Sequence, residues 1–104
     1  MDTDGRYPEA EELQLTDLLH ALSDPVRLQI VQTLDKADGA LACVEIALPV
    51  SKSTGSHHYK VLREAGIVQW REEGTRRYYT VRRADLDARF PGLLDTVLRA
   101  ATAR

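Results

Sequence analysis

Two adjacent histidines, His57 and His58, lie in a polar segment with the sequence SKSTGSHHYKVLREAG at positions 51–66. Imidazole groups bind metal ions, transfer protons in catalysis and hydrogen-bond to nucleic acid, so three kinds of chemistry are open to this pair. If the segment is a helix, neighbouring side chains point about 100° apart, whereas helical metal-binding histidines are usually spaced four residues apart. We therefore expect no metal site at the pair.

The chain also lacks the sequence features of an enzyme. It contains no nucleophile motif, no glycine-rich phosphate loop and no pair of carboxylates placed for acid–base chemistry. We expect neither catalysis nor a cofactor. Contact with DNA is then the chemistry that best suits the polar segment.

Helical periodicity divides the segment into two sides. Tyr59 and Leu62, with His58 beside them, fall on a side that would pack against the body of the protein. The other side carries hydroxyl, imidazole and cationic groups, which hydrogen-bond to base edges and phosphates in the major groove. The competing interpretation is a solvated face without a partner. The residues expected to contact DNA from this helix are Lys52, Ser53, Thr54, Ser56, His57, Lys60 and Arg63.

Two amphipathic helices are predicted before this segment. Ser23 or Asp24 can cap the second of them, which starts at Pro25, where a missing N–H group costs nothing. Arg27, early in the second helix, is a further candidate for phosphate contact; equally, it can pair with an acidic residue such as Asp24. The first helix has leucines at the i, i+3, i+4 and i+7 positions of one face, namely Leu15, Leu18, Leu19 and Leu22.

A turn separates the polar segment from a short third helix, which is predicted at residues 40–47. Pro49 breaks that helix. Ser51 or Ser53 then caps the helix of the polar segment, and Gly66 ends it. A short helix, a turn and a second helix form the arrangement of a helix-turn-helix.

The sequence IVQWREEGTRRYYTV, residues 67–81, alternates apolar or aromatic residues with polar ones around Glu73-Gly74. This pattern predicts a β-hairpin. Its tip is rich in arginine, which suits phosphate or minor-groove contact beside the helix. Charged edge strands that suppress aggregation are the alternative explanation. The arginines expected to position DNA are Arg71, Arg76 and Arg77.

A closing helix is predicted over residues 86–101, with Pro91 either kinking it or starting its main part. The order of elements predicts a mainly α fold with a β-hairpin wing. This is a winged helix-turn-helix with about five helices and a two-stranded wing. We expect residues 1–10 to be a flexible arm and residues 11–104 to form one domain.

The net charge of −2 conceals an uneven distribution. Residues 1–24 hold seven acidic residues and one arginine, whereas residues 51–83 hold eight lysines or arginines and three glutamates. A basic stripe on an acidic body still neutralises phosphates locally. There is no apolar run of membrane-spanning length, no signal-peptide core and a single cysteine, so we expect a cytoplasmic protein without membrane contact.

Three stretches, HALSDPVRLQIVQTL, VSKSTGSHHYKVLREAGIV and REEGTRRYYTV, resemble the ArsR family of winged helix-turn-helix repressors, and the resemblance covers roughly residues 13–82. It implies a homodimeric repressor that binds double-stranded DNA at a palindromic operator. It also implies a dimer joined through the first and last helices. The apolar residues available there are Leu15, Leu18, Leu19, Leu22, Phe90, Leu93, Leu94, Val97 and Leu98.

Many members of this family sense metals, but their ligand residues are missing here. Ala42 and Val44 occupy the positions of the Cys-x-Cys pair found in arsenic- and cadmium-sensing members, with Cys43 between them. The region of the last helix holds three aspartates without the histidine of zinc- and nickel-sensing members. We therefore expect no metal, and the inducer is unknown.

Two alternatives stay open at the level of sequence. One is a thiol- or metal-responsive sensor of the same fold that uses Cys43, although a buried and inert thiol is the more common outcome for such a residue. The other is a winged-helix module that binds protein and never DNA. A steep dependence of binding on salt would separate DNA binding from the second alternative.

Overall fold

The computed structural model of the protein describes residues 8–37, 41–42 and 46–102. It confirms the mainly α fold with a β-hairpin, although the sheet gains a third strand. None of the described helices is both long enough and apolar enough to cross a membrane. After a 3₁₀ turn at Ala10–Glu12, the elements are α1 (Leu15–Ala21), α2 (Pro25–Lys36), β1 (Leu41–Ala42), α3 (Lys52–Glu64), β2 (Val68–Glu73), β3 (Arg76–Val81), α4 (Arg83–Arg89) and α5 (Leu93–Thr102).

Of the two caps allowed for helix α2, Asp24 is the one observed. The Oδ2 atom of Asp24 accepts hydrogen bonds from the backbone N–H groups of Val26 at 2.8 Å and Arg27 at 3.1 Å. Pro25 occupies the first helical position, as predicted. Burial raises the pKa of Asp24, but the two backbone hydrogen bonds and the nearby guanidinium of Arg27 lower it overall. The start of α2 is therefore fixed by an ionised cap.

Helix α3 begins and ends at the residues that the sequence predicts. The hydroxyl of Ser51 accepts a hydrogen bond from the Thr54 N–H group at 3.3 Å and caps the first turn. At the other end, the N–H groups of Gly66 and Ile67 return to the carbonyls of Arg63 and Leu62, each at 3.0 Å. This is a Schellman motif, and Gly66 adopts the positive φ of 87° that the motif requires.

Strands β2 and β3 form the predicted hairpin in a definite register. Trp70 pairs with Tyr79 and Val68 pairs with Val81, so these four side chains share one face of the sheet. Of the two phases that the alternation allowed, Tyr79 and Val81 are thus the residues on the Val68 and Trp70 face. The N–H group of Arg82 donates to the carbonyl of Ile67 at 2.9 Å and closes the base of the hairpin.

The third helix predicted at residues 40–47 is wrong where the structure describes this region. Leu41 and Ala42 form strand β1, which pairs antiparallel with β3 opposite Tyr79 and Tyr78. Ile46 and Ala47 are not helical, and residues 40 and 43–45 lie outside the described part of the chain. The free edge of β3 explains the difference, because unpaired strand backbone is satisfied by a third strand whatever the local helix propensity.

The predicted closing helix is two helices, α4 and α5. The break falls at Pro91, because a residue before proline is disfavoured in the helical conformation. Phe90 accordingly has φ −132° and ψ 75°. Pro91 lies in this break, two residues before α5 begins at Leu93, so it neither kinks a continuous helix nor occupies the first position of its main part.

Helices α2, α4 and α5 are joined through Arg83. Its guanidinium contacts Asp35 of α2 at 2.8 Å, Asp95 of α5 at 2.9 Å and Asp87 of its own helix at 3.5 Å. The hydrogen bond to Asp35 raises the pKa of Arg83 above its usual range. Beneath these pairs lies an apolar core, whose fully buried large residues are Leu13, Ile30, Val31, Leu62, Ile67 and Val68.

The glycine that ends α3 provides a test of the packing. A Cβ atom at Gly66 would overlap Leu13 Cδ2 and lie 3.0 Å from Pro8 Cγ, whereas one at Gly74 would meet nothing within 4 Å. Both glycines have positive φ, so both alanine variants carry backbone strain of about 1 kcal/mol. We expect Gly66→Ala to lower the free energy of unfolding by about 2–4 kcal/mol because overlap is added to strain. Urea denaturation measures both variants, and equal losses would contradict the packing at Gly66.

Candidate nucleic-acid interface

The two sides of α3 differ in exposure as the periodicity predicts. Gly55, His58, Tyr59 and Leu62 are buried. The polar side points to solvent, with Arg63 half-buried and the other candidate residues exposed; these are Lys52, Ser53, Thr54, Ser56, His57 and Lys60. The structure therefore brings the predicted residues of α3 together on one accessible surface.

The hydroxyl groups at the start of α3 form a cluster. Ser51 Oγ donates to Thr54 Oγ1 at 3.0 Å and lies 3.3 Å from Ser53 Oγ. These hydroxyls thus help to cap the helix, and Ser56 and His57 lie one turn further along.

Helix α3 is attached to the hairpin by two aromatic rings. Tyr59 of α3 and Tyr79 of β3 have ring centroids 4.6 Å apart, inclined at 32°. Both residues are buried. An aromatic pair of this geometry adds to the burial of apolar surface, and it fixes the polar side of α3 relative to the hairpin.

Two arginines of the hairpin are held against aromatic rings. The guanidinium of Arg77 lies 4.3 Å from the centroid of Trp70, and that of Arg71 lies 5.3 Å from the centroid of Tyr78. Each is also near a glutamate. Arg71 Nε lies 3.1 Å from Glu73 Oε2. Arg77 Nε lies 3.7 Å from Glu72 Oε2. All four charged groups are largely exposed, so these ion pairs contribute little to stability and can exchange for phosphate.

Arg76 differs from its two neighbours. It lies at the start of β3, opposite Glu73, and is exposed. It makes no ion pair or cation–π contact with any residue that the structure describes. Its charge is therefore the least compensated of the three predicted arginines of the hairpin.

Arg27 is buried and not accessible to phosphate, so its predicted contact with DNA is wrong. Only 8% of the residue is exposed. Its Nε donates to the carbonyl of Ala21 at 2.6 Å, its Nη2 donates to the carbonyl of His20 at 3.3 Å, and its Nη1 lies 3.1 Å from His58 Nδ1. The guanidinium is thus used inside the protein. Sequence reasoning placed His58 on the packing side of α3 but did not identify Arg27 as its partner.

No group of three or more His, Cys, Asp or Glu side chains in the described ranges is arranged to hold a metal ion. The two adjacent histidines lie on different sides of α3, because His57 is exposed and His58 is buried. Their rings are 6.0 Å apart and inclined at 53°. Cys43, the residue on which a thiol sensor would depend, lies outside the described residues.

Comparison with known proteins gives a consistent picture. A family model described as a helix-turn-helix domain matches residues 22–69. The HTH-type transcriptional regulator YceK of Bacillus subtilis is 35% identical over 82 residues, which cover 77% of this chain and 82% of that protein. A homologue of the transcriptional repressor SmtB in Synechocystis is 31% identical over 68 residues, which cover 65% of this chain and 52% of that protein.

Among solved structures, the transcriptional repressor BigR from Xylella fastidiosa superposes with a TM-score of 0.61 at 32% sequence identity. The match covers 86% of this chain and 88% of that one. The fold, the exposed polar side of α3 and these relatives lead to the same conclusion. The protein is a DNA-binding transcriptional regulator, and it belongs to the ArsR family of winged helix-turn-helix regulators.

Proposed function

We propose that the protein is a cytoplasmic homodimeric repressor that binds a palindromic operator, and that it has no catalytic activity. The observation that supports this best is the division of α3, which buries one side while presenting hydroxyls, an imidazole and cations on the other. In a dimer, two such helices enter successive major grooves and each hairpin follows the DNA backbone.

Different residues of the surface have different roles in this proposal. Ser56 and His57 lie past the capping turn of α3 and hydrogen-bond to base edges. The exposed ammonium groups of Lys52 and Lys60 contact phosphates, and so does the half-buried guanidinium of Arg63. Ser53 and Thr54 contact phosphate through the hydroxyl cluster at the helix start.

The hairpin positions the protein on DNA. Arg71 and Arg77 exchange their glutamate partners for phosphate while their guanidinium planes stay on the aromatic rings. Arg76 binds phosphate without such an exchange. These contacts carry affinity and salt dependence more than sequence information.

The surface for dimerisation is smaller than the leucine stripes suggest. Leu18 of α1, Leu22 just after it, and Leu94 and Leu98 of α5 are buried in the core of a single chain, so they are not available to a partner. By contrast, Leu15 and Leu19 are 45% and 47% exposed, which is unusual for leucine on a small domain. The C-terminal part of the chain offers three half-buried apolar residues to the same proposed interface, namely Phe90, Leu93 and Val97.

The proposal can be tested by selecting duplexes from a random library with the full chain and then measuring affinity as a function of salt concentration. We expect a palindromic consensus and a steep loss of affinity as salt rises. Failure to retain any duplex, even at low salt, would favour a module that binds protein.

The uncompensated charge of Arg76 gives a specific expectation. Arg76→Ala should weaken binding to the selected duplex and to random duplexes by similar factors. Because the proposed dimer loses one phosphate contact in each protomer, the slope of log affinity against log salt should fall by about 2. Lys36→Ala removes an exposed cation at the end of α2 and should leave the slope unchanged. Fluorescence anisotropy at several salt concentrations measures both. A loss confined to the selected duplex would contradict a positioning role for Arg76.

Residues that read bases should behave differently from those that bind phosphate. We expect Ser56→Ala or His57→Ala to reduce the preference for the selected duplex over random duplexes by about tenfold, since each base-edge contact contributes about 1–3 kcal/mol of discrimination. Lys60→Ala is the matched control on the same helix, and it should lower both affinities together. Competition binding measures the ratio. An unchanged ratio in the Ser56 and His57 variants would remove these residues from base recognition.

The exposed leucines of α1 can be tested through the oligomeric state. Leu19→Glu places a charge within the proposed interface and should weaken the dimer by at least about tenfold, because charge is costly in an apolar contact. His20→Glu adds the same charge about 100° around the helix and should leave the dimer intact. Sedimentation equilibrium measures both. A wild-type chain that stays monomeric at high concentration would contradict the dimer itself.

A further inference from the structure

A buried group of hydrogen bonds joins α3 to the helices before it. Arg27 and His58 are each only 8% exposed, and Arg27 Nη1 lies 3.1 Å from His58 Nδ1. The other two guanidinium nitrogens, Nε and Nη2, donate to the carbonyls of Ala21 and His20 at the end of α1. One cation on α2 therefore connects the end of α1 with the buried side of α3.

This contact suits only one form of the His58 ring. A guanidinium group can only donate hydrogen bonds, so the Nδ1 atom of His58 has to accept. Only an unprotonated ring nitrogen accepts, so the observed distance fits a neutral ring with its proton on Nε2. If Nδ1 gained a proton, the hydrogen bond would be lost, and two positive groups would face each other in a buried site.

Two other titratable groups contact the ring among the described residues. Asp24 Oδ2 lies 3.9 Å from Nδ1, and the ring of His57, on α3 itself, lies 6.0 Å away. Asp24 would attract a protonated His58, but the same oxygen accepts the two N–H groups that cap α2. From α1, His20 contributes its backbone carbonyl to Arg27, while its own side chain is exposed. Protonation therefore disturbs both the Arg27 contact and the α2 cap.

We propose that Arg27 and His58 are positioning residues that hold α3 in its DNA-binding position only while His58 is neutral, so that acidification weakens DNA binding. This inference rests on the proposed function of α3. His58 is adjacent to His57, one of the expected base contacts, so movement of the buried ring shifts the exposed side of the helix. Protonation of exposed His57 would have the opposite effect, because added positive charge strengthens binding to DNA.

The test compares the affinity of the full chain for the duplex selected from a random library at about pH 7.5 and about pH 5.5, a range in which histidine ordinarily titrates. We expect wild-type binding to be about tenfold weaker at the lower pH, as for loss of a hydrogen bond to a charged group. His58→Gln keeps a side-chain acceptor for Arg27 but does not titrate, so its affinity should stay constant or rise on acidification. His20→Gln removes an exposed histidine and should retain the wild-type loss.

Two results would overturn the proposal: wild-type affinity that is unchanged or higher at low pH, or a His58→Gln variant that loses affinity as steeply as the wild type. A second measurement is independent of DNA and of that variant's folding. Long-range ¹H–¹⁵N correlation spectra of the wild-type chain should show His58 at neutral pH with its proton on Nε2. A proton on Nδ1 would refute the inference even if DNA binding is intact, whereas failure to select any duplex would instead count against the proposed function.

Discussion

The position of α3 depends on a buried cation. A guanidinium removed from water is tolerated only when its donors are satisfied, and Arg27 is satisfied by two carbonyls of α1 and one nitrogen of α3. Since these acceptors come from different helices, the need to satisfy the charge restricts how the helices pack. Because His58 on the buried side of α3 must contact Arg27, this contact also fixes which side of the helix faces solvent.

The hairpin is organised by a different balance. Near the tip, Glu72 and Glu73 pair across the strands with Arg77 and Arg76. Of the three arginines, Arg77 lies on Trp70 and Arg71 on Tyr78. Stacking restrains a guanidinium without neutralising it, so its charge stays available to an anion. The neighbouring glutamates weaken the nonspecific attraction of anions to these arginines. The contact between Tyr59 and Tyr79 keeps the hairpin aligned with α3.

Features determined by neighbours in sequence were predictable. The Asp24 and Ser51 caps, the end of α3 at Gly66 and the buried side of α3 follow from local chemistry, and the structure confirms them. The pairing of Leu41 with Tyr79 joins residues far apart in sequence, so no local sequence pattern predicts it. Leucine periodicity likewise identified apolar faces but could not separate Leu18, which packs inside the chain, from exposed Leu19. The burial of Arg27 was hidden for the same reason, because its partners lie on two other helices.

The chain contains a single tryptophan, and Trp70 lies in the hairpin under the guanidinium of Arg77. Its indole Nε1 is buried and has no hydrogen-bond partner in the described part of the chain. Indole emission responds to nearby charge and to solvent. In this protein all tryptophan emission comes from Trp70, beside the guanidinium of Arg77. The protein thus carries an intrinsic optical probe at one defined position. Its fluorescence follows the environment of the hairpin without an added label.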